Sequence, residues 1–316
     1  MAGANWTADK MGSQAGKTVL ITGANSGIGY QAALELARHG ANVLLGCRSA
    51  DKGQEARERI RKEIPGAQPA VVALDVASLA SVRGFAKEFV ASGAVLDVLV
   101  NNAGVMALSK REVTEDGFER QFATNHLGHF ALTGLLIPAL LRSSAPRVVT
   151  VASLAHRTGR MDWDNLQGER NYDPWGAYNQ SKLANILFAR ELDRRAREQG
   201  SKLTSVAVHP GVSMTQIARY GTDFKSRMVR MLGPVLLQSE AMGALPTLYA
   251  ATAPDVQGGQ YWGPGGFKEV RGHPALVRPE PQALEQKAGA RLWQVSEELT
   301  GVVYPPLARE GLGVRN

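Results

Sequence analysis

The sequence predicts one α/β domain over residues 1–316, a Rossmann-type doubly wound parallel sheet of about seven strands with helices on both faces. Short apolar segments alternate with helical patterns through the first two thirds of the chain. Most of these segments are continuously apolar, which is typical of parallel strands that are covered on both faces. The first of them runs into a glycine-rich turn that opens a helix, and this is the arrangement of a nucleotide-binding βα unit.

The same patterns predict the individual elements. Apolar segments predict strands at 18–22, 42–47, 70–74, 96–101, 147–152 and 204–209, and a last short strand near 260–262. Helical periodicity predicts helices at 27–39, 52–64, 78–91, 118–141, 178–199, near 239–251 and at 281–300. We assign 16–262 to the core, 212–233 to a lid over the substrate, and 302–316 to a loose tail.

The predicted lid, residues 212–233, is the basis of a prediction about the class of substrate. Its apolar residues alternate with charged ones, so a short helix there can turn an apolar face toward the site and favour a lipophilic substrate. The alternative is that this face only packs the loop onto the core. Candidate pocket residues, for which ordinary packing is again the alternative, are Trp163, Trp175, Met214, Met228 and Met231.

Composition limits the classes of function. The net charge is +7, but basic residues spaced i, i+4 from acidic ones, as in Glu55 and Arg59, favour solvated helix faces over nucleic-acid binding. No apolar run reaches the ~18 residues of a membrane-spanning helix, and the polar first sixteen residues lack the core of a secretory signal. We therefore expect a cytoplasmic protein with no integral membrane segment. Cys47 is the only cysteine and the six histidines lack metal-site spacing, so no metal is predicted.

The glycine-rich turn after the first strand is a candidate phosphate-binding loop. Glycines there allow a tight turn and a close approach of the backbone to pyrophosphate, and the following helix N-terminus offers N–H groups and a positive dipole end. No Lys-Ser/Thr pair follows the last glycine, so this is not a Walker A loop. The candidate cofactor-binding residues of the turn are Gly23, Asn25, Ser26, Gly27, Ile28 and Gly29.

The end of the second strand predicts NADP(H) rather than NAD. An NAD-binding unit carries an acid there for the ribose hydroxyls, whereas this sequence has Cys47 followed by Arg48. A guanidinium matches a phosphate in charge and in fork geometry. The alternative is a merely solvent-facing arginine. Asp75 and Val76, at the end of the third strand, are candidates for an adenine contact.

Tyr178 and Lys182 are the candidate proton-transfer pair. They lie four residues apart at the start of a predicted helix, which puts both side chains on one face. A phenol with a reference pKa of ~10 is a poor catalyst at neutral pH, and a nearby ammonium stabilises its phenolate. Ser153 follows the fifth strand at the sheet edge where Rossmann ligands bind, and Asn125 lies early in a long apolar helix.

Taken together and in this order, these motifs resemble the short-chain dehydrogenase/reductase family over about residues 16–262. The motifs are Thr-Gly-x3-Gly-Ile-Gly, Asn-Asn-Ala-Gly, the helix asparagine, the serine, Tyr-x3-Lys and Pro-Gly. The resemblance implies that Tyr178 is the general acid or base, and that Lys182 holds the nicotinamide ribose and tunes Tyr178. It also implies that Ser153 polarises the carbonyl and that Asn125 anchors a water leading to Lys182. The further cofactor contacts it implies are Asn102, Ala103, Gly104, Pro210, Gly211 and Thr215.

A finer resemblance is to the retinol dehydrogenase and WW-domain oxidoreductase branch. It is carried by Ser-Leu-Ala-His at 153–156, Asn-Leu-Gln-Gly-Glu at 165–169 and Tyr-Asn-Gln-Ser-Lys-Leu-Ala-Asn at 178–185. We therefore expect an NADP(H)-dependent oxidoreductase that acts on a small-molecule carbonyl or alcohol, and the sequence leaves a homo-oligomer open. The alternatives are a reductase of C=C bonds and a noncatalytic NADP(H)-binding regulator.

Overall fold

Eight short strands form one sheet in the computed structural model, which describes residues 5–212 and 238–308. The strands are β1 (Thr18–Thr22), β2 (Asn42–Cys47), β3 (Ala70–Ala73), β4 (Val98–Asn101), β5 (Arg147–Val151), β6 (Thr204–Val208), β7 (Tyr261–Pro264) and β8 (Pro274–Leu276). Their order across the sheet is β3-β2-β1-β4-β5-β6-β7-β8. β1 to β7 pair in parallel and β8 pairs antiparallel with β7. The predicted doubly wound parallel sheet is confirmed.

Helices cover both faces of this sheet. They are α1 (Gly27–Arg38), α2 (Ala50–Glu63), α3 (Leu79–Ala91), α4 (Arg120–Phe122), α5 (Gly128–Leu140), α6 (Pro174–Glu198), α7 (Glu240–Thr252) and α8 (Gln286–Thr300). Successive strand residues point to opposite faces. Val19 and Ile21 therefore pack with α1 and α7, whereas Leu20 packs with α3 and α5.

The strand order fixes where a ligand can bind. From β1 the chain moves outward to β3 and then returns to β4 on the other side of β1. At such a reversal, the connections after the two central strands leave the sheet toward opposite faces. The carboxyl ends of β1 and β4 therefore border a crevice.

The helix predicted at 118–141 is interrupted beside this crevice. The short α4 leads into a π-helical turn, Ala123–Leu127, in which the N–H of Gly128 bonds to the carbonyl of Ala123, five residues back. All five residues of the turn are buried. Turns of this kind are frequent at functional sites because they reorient side chains and backbone groups.

The helix that carries Tyr178 begins four residues earlier than predicted. Asp173 caps it by accepting a hydrogen bond from the N–H of Gly176 at 2.6 Å, and Pro174 occupies the first helical position. A capping aspartate before a first-turn proline is itself a signal for a helix start. Tyr178 consequently lies in the second turn of α6, where the helix is fully formed.

The C-terminal region differs from the prediction in three respects. The short eighth strand was not predicted, and the helix predicted at 281–300 is a 3₁₀ turn, Pro281–Leu284, followed by α8. The prediction of a loose tail is wrong for residues 302–308. The Tyr304 hydroxyl donates to the carbonyl of Phe130 at 2.7 Å, and Leu307 is 1% exposed.

Part of the predicted lid and tail lies outside the described residues, namely 213–233 and 309–316. Across residues 5–212 and 238–308, no helix has both the length and the apolar composition needed to cross a bilayer.

Candidate active site

A cleft opens at the carboxyl ends of β1, β4 and β5, and most of the predicted cofactor residues line it. Those are Gly23, Asn25, Ser26, Gly27, Ile28, Gly29, Arg48, Asp75, Val76, Asn102, Ala103, Gly104, Tyr178 and Lys182. The sequence prediction missed the other lining residues, which are Ser49, Lys52, Leu74, Val105, Met106, Thr124, Val151 and Ala152.

The glycine turn brings the backbone of α1 close to the loop after β4. Gly23 has a φ of +66°, in the left-handed region that other residues rarely adopt. A side chain at Gly29 would overlap the amide of Asn102 and approach the Gly23 carbonyl to 2.6 Å. The same Asn102 amide donates to the carbonyl of Thr22 at 2.7 Å. Residues 27–29 therefore turn a bare helix N-terminus into the cleft, which suits a phosphate group.

The far end of the cleft, after β2, is basic. Arg48 is exposed and lines the cleft, and the described residues offer its guanidinium no hydrogen bond or ion pair. Ser49 caps α2 beside it, and Lys52 lies in the first turn of that helix. Lys52 could have been identified from its position one turn after Arg48. Cys47 is buried, and burial raises the pKa of its thiol to about 11, so it contributes no charge there.

Tyr178 and Lys182 lie on one face of α6, and both are buried. The Lys182 Nζ donates to the carbonyl of Val151 at 3.1 Å and lies 5.8 Å from the centre of the Tyr178 ring. Burial lowers the pKa of Lys182 to about 8. The ammonium is therefore still largely protonated at neutral pH, where it can stabilise a phenolate on the neighbouring tyrosine.

Asn125 lies in the π-helical turn, behind the loop after β4. Its Oδ1 accepts from the N–H of Val105 at 2.8 Å, and its Nδ2 donates to the carbonyl of Val105 at 2.9 Å. The same Nδ2 donates to Ser181 on α6 at 2.8 Å. One fully buried amide thus joins the loop that lines the cleft to the helix that carries Tyr178.

Ser153 follows β5 and is nearly buried. Its Oγ accepts from the N–H of Ala155 at 3.2 Å, which leaves the hydroxyl proton for another acceptor. Its carbonyl accepts from the Nδ1 of His156 at 2.6 Å. Among the described residues, neither Ser153 nor Asn125 belongs to the walls of the cleft, and their catalytic roles stay predictions.

Pro210 and Gly211 lie at the end of β6, off the walls of the cleft as the described residues define them. The N–H of Gly211 donates to the Nδ1 of His209 at 3.2 Å, and the Nε2 of His209 contacts Glu269 at 3.1 Å. Thr215 lies outside the described residues, as do Met214, Met228 and Met231.

Apolar side chains lie in the cleft and beside the tyrosine. Met106 lines the cleft, and the Trp175 ring is 55% exposed and meets the Tyr178 ring edge-on at 6.1 Å. Trp163, the other tryptophan weighed from the sequence, packs against the core and lies under Arg291 at 4.6 Å.

Comparison with known proteins gives consistent results. A family model described as short chain dehydrogenase matches residues 17–225. The chain is 41% identical to human retinol dehydrogenase 13, with 94% of this chain and 88% of that protein covered. It is 42% identical to mouse polyprenol dehydrogenase, covering 91% and 85%. An uncharacterised protein from Mycobacterium paratuberculosis has a solved structure with a TM-score of 0.79 at 41% identity, covering 95% and 99%.

Proposed function

The chain belongs to the short-chain dehydrogenase family and is an oxidoreductase that transfers hydride, and from this premise we propose that it interconverts lipophilic aldehydes or ketones and their alcohols with NADP(H). One observation carries the proposal. A single cleft holds the exposed guanidinium of Arg48 after β2 and the buried pair of Tyr178 and Lys182 on α6. The first suits a 2′-phosphate and the second suits proton transfer to a carbonyl oxygen.

The cleft fits the cofactor in its chemistry. The bare backbone at Gly29 and the N-terminus of α1 suit the pyrophosphate. Arg48, with Ser49 and Lys52 beside it, suits the 2′-phosphate, and the buried thiol of Cys47 stands where an NAD-binding unit carries its acid. Asp51, in the first turn of α2, does not line the cleft. When bound, NADP(H) supplies or accepts the hydride, and the protein provides orientation and the proton.

Tyr178 donates its hydroxyl proton to the carbonyl oxygen during reduction and takes a proton from the alcohol during oxidation. Lys182 stabilises the phenolate by its charge, because burial excludes the water that would otherwise screen the two groups. The resemblance to the family gives Ser153, which follows β5 beside the cleft, the bond to the substrate oxygen. Its Oγ accepts from the N–H of Ala155, so the hydroxyl proton remains available for that bond. Asn125 holds α6 and the loop after β4 in register, so that these groups meet the substrate together.

The lipophilic substrate is supported by the surroundings of Tyr178 and by the relatives. Met106 adds apolar surface to the cleft that Tyr178 lines, and the half-exposed Trp175 meets the Tyr178 ring edge-on. Two of the similar proteins are named for retinol and for polyprenol, which are long apolar alcohols. An apolar wall near the reacting atoms also excludes water from them.

We expect kcat/KM to rise along a series of straight-chain aldehydes reduced with NADPH. Each methylene that becomes buried contributes ~0.8 kcal/mol, which allows a gain of up to a few-fold per carbon until the pocket is filled. The measurement is the initial rate of NADPH oxidation from propanal to dodecanal, with NADH run in parallel. Aldehydes of equal length that end in a carboxylate serve as controls, because an apolar pocket rejects their charge. A flat series, or a preference for the charged controls, would rule the lipophilic pocket out.

A further inference from the structure

We propose that His129 is a positioning residue of the catalytic centre. Its ring links the end of β1 and the loop after β4, which lines the cleft, to the π-helical turn around Asn125 through one chain of hydrogen bonds. The inference rests on the proposed function only in that its main readout is turnover. His129 lies on α5, is 1% exposed, and does not line the cleft. Its two ring nitrogens each have a partner, one at the end of β1 and one in the π-helical turn.

One end of the chain is Thr22, the last residue of β1. Its Oγ1 accepts from the N–H groups of Asn102 and Ala103, each at 2.9 Å, so it fixes the start of the loop that lines the cleft. With two N–H groups accepted, the hydroxyl has its own proton left to give. The Nε2 of His129 lies 2.8 Å from this oxygen, whereas the alternative acceptor, the Val100 carbonyl, is 3.4 Å away. The shorter contact is the better hydrogen bond.

The other end of the chain is the backbone of Asn125. The Nδ1 of His129 lies 3.1 Å from that carbonyl oxygen. A carbonyl can only accept, so Nδ1 must carry the ring proton, and a neutral ring then has a bare Nε2 to accept from Thr22. One tautomer therefore satisfies all of these groups, with donation running from Asn102 and Ala103 through Thr22 and His129 to Asn125.

The hydrogen bonds around the His129 ring leave no acceptor for a second ring proton. A protonated Nε2 would point at a threonine oxygen that already accepts two N–H groups. Burial, together with the nearby charge of Lys182, lowers the pKa of His129 to about 4. The imidazole is neutral throughout the working range, and it acts as a fixed link rather than as a proton donor to the substrate.

A buried histidine three residues away shows what a purely structural role looks like. The Nε2 of His126 contacts the hydroxyl of Ser296 on α8 at 2.8 Å, and its Nδ1 has no hydrogen-bond partner in the part of the chain that the structure describes. His126 thus ties the turn to the outer helix. His129 instead joins two segments that both touch the site, and this difference supplies a matched control.

The test compares variants that break the chain of hydrogen bonds with variants that keep it. Thr22→Val and His129→Leu each remove a link, whereas Thr22→Ser keeps the hydroxyl and His129→Gln keeps one donor and one acceptor. We expect the first two to lower kcat per NADPH-binding site by about 10-fold or more, because small misplacements of reacting groups are costly. The double variant should lose no more than the worse single one, and the conservative variants should retain most of the activity. Ser296→Ala, which cuts the bond to His126, should leave kcat per site near the wild-type value.

Counting sites by NADPH titration separates positioning from instability, since a merely unstable protein loses sites but not turnover per site. Losses that multiply in the double variant, or unchanged kcat per site in Thr22→Val, would overturn the proposal. Thr22→Val also removes the acceptor of the Asn102 and Ala103 N–H groups, so it reports on His129 only through the double variant. Where His129→Leu does not fold, the spectroscopic measurement below tests the link on the wild-type protein.

A second measurement needs no substrate. It therefore tests the proposed hydrogen bonds of His129 separately from the proposed function. In ¹H–¹⁵N spectra of histidine-labelled protein, the signal that His129→Gln abolishes should show a neutral ring protonated at Nδ1 between pH 6 and 8. A ring protonated at Nε2, or a doubly protonated ring, would rule out the proposed chain of hydrogen bonds whether or not the enzyme reduces any aldehyde.

Discussion

Replacing Tyr178 by phenylalanine is expected to lower kcat by about 100-fold or more while the fold and NADPH affinity persist. The substitution removes one hydroxyl and little volume from a side chain that is 4% exposed. It leaves Lys182 in place, with its hydrogen bond to the Val151 carbonyl. The loss should therefore fall on proton transfer, and it should appear in kcat much more than in the dissociation constant of NADPH.

Tyr249→Phe is the matched control for this prediction. The Tyr249 hydroxyl belongs to an equally buried ring, but it bonds to Asp255 at the far end of α7 rather than lining the cleft. Its removal should lower stability and leave kcat nearly unchanged. Turnover close to that of the wild type in Tyr178→Phe would mean that the proton comes from another group.

Replacing Arg48 by alanine is expected to weaken NADPH binding by roughly 1.5–3 kcal/mol, the range for charge-assisted hydrogen bonds, and to change NADH binding little. The guanidinium has no partner among the described residues, so its removal breaks no internal contact and should not disturb the fold. The two dissociation constants can be compared by fluorescence titration. The difference between them isolates the contribution of the 2′-phosphate.

Lys62→Ala is the control for lost charge, because Lys62 is exposed on the same helix as Lys52 and lies away from the cleft. It should leave both dissociation constants unchanged. Equal losses for NADPH and NADH in Arg48→Ala would contradict the assignment of Arg48 to the 2′-phosphate. Arg48→Ala could retain some preference for NADPH. If that preference disappears in the double variant Arg48→Ala/Lys52→Ala, Lys52 also contributes to binding of the 2′-phosphate.

The sequence was sufficient for the sheet and for most of the cleft because both depend on local patterns. Parallel strands that are buried on both faces must be continuously apolar, and their carboxyl ends meet at one edge. The position of Arg48 directly after β2 therefore implied its place in the cleft. The cofactor contacts at residues 102–104 came instead from the resemblance to the family, and the structure places these residues in the same cleft as the glycine turn.

The elements that the sequence missed depend on packing between distant segments. β8 has three residues, begins with a proline and shows no alternation long enough to recognise. The helix predicted at 281–300 is broken at Glu285, where the backbone is extended, although the apolar spacing continues across the break. Tyr304 lacks any periodic pattern, yet its ring packs on Trp293 and on Phe130, which lies 174 residues away in the sequence.

The π-helical turn and its contacts were equally hidden. Nothing in the periodicity of 118–141 distinguishes a continuous helix from one with an inserted turn. The hydrogen bonds between Asn125 and Val105 join residues 20 positions apart in the sequence, and the bond between Thr22 and His129 joins residues 107 positions apart. Such contacts follow from how α5 lies against β1 and β4, which the fold determines and local sequence does not.

Transfer of hydride from the cofactor to a carbonyl carbon is the central claim, and isotope labelling tests it most directly. The enzyme is incubated with NADPH carrying deuterium at both hydrogens of nicotinamide C4 and with the best aldehyde of the straight-chain series, and the alcohol is analysed by mass spectrometry. We expect one deuterium per alcohol, bound to the former carbonyl carbon, with one NADPH consumed for each alcohol formed. Alcohol without deuterium, or deuterium at another carbon such as that of a reduced C=C bond, would contradict hydride transfer to a carbonyl.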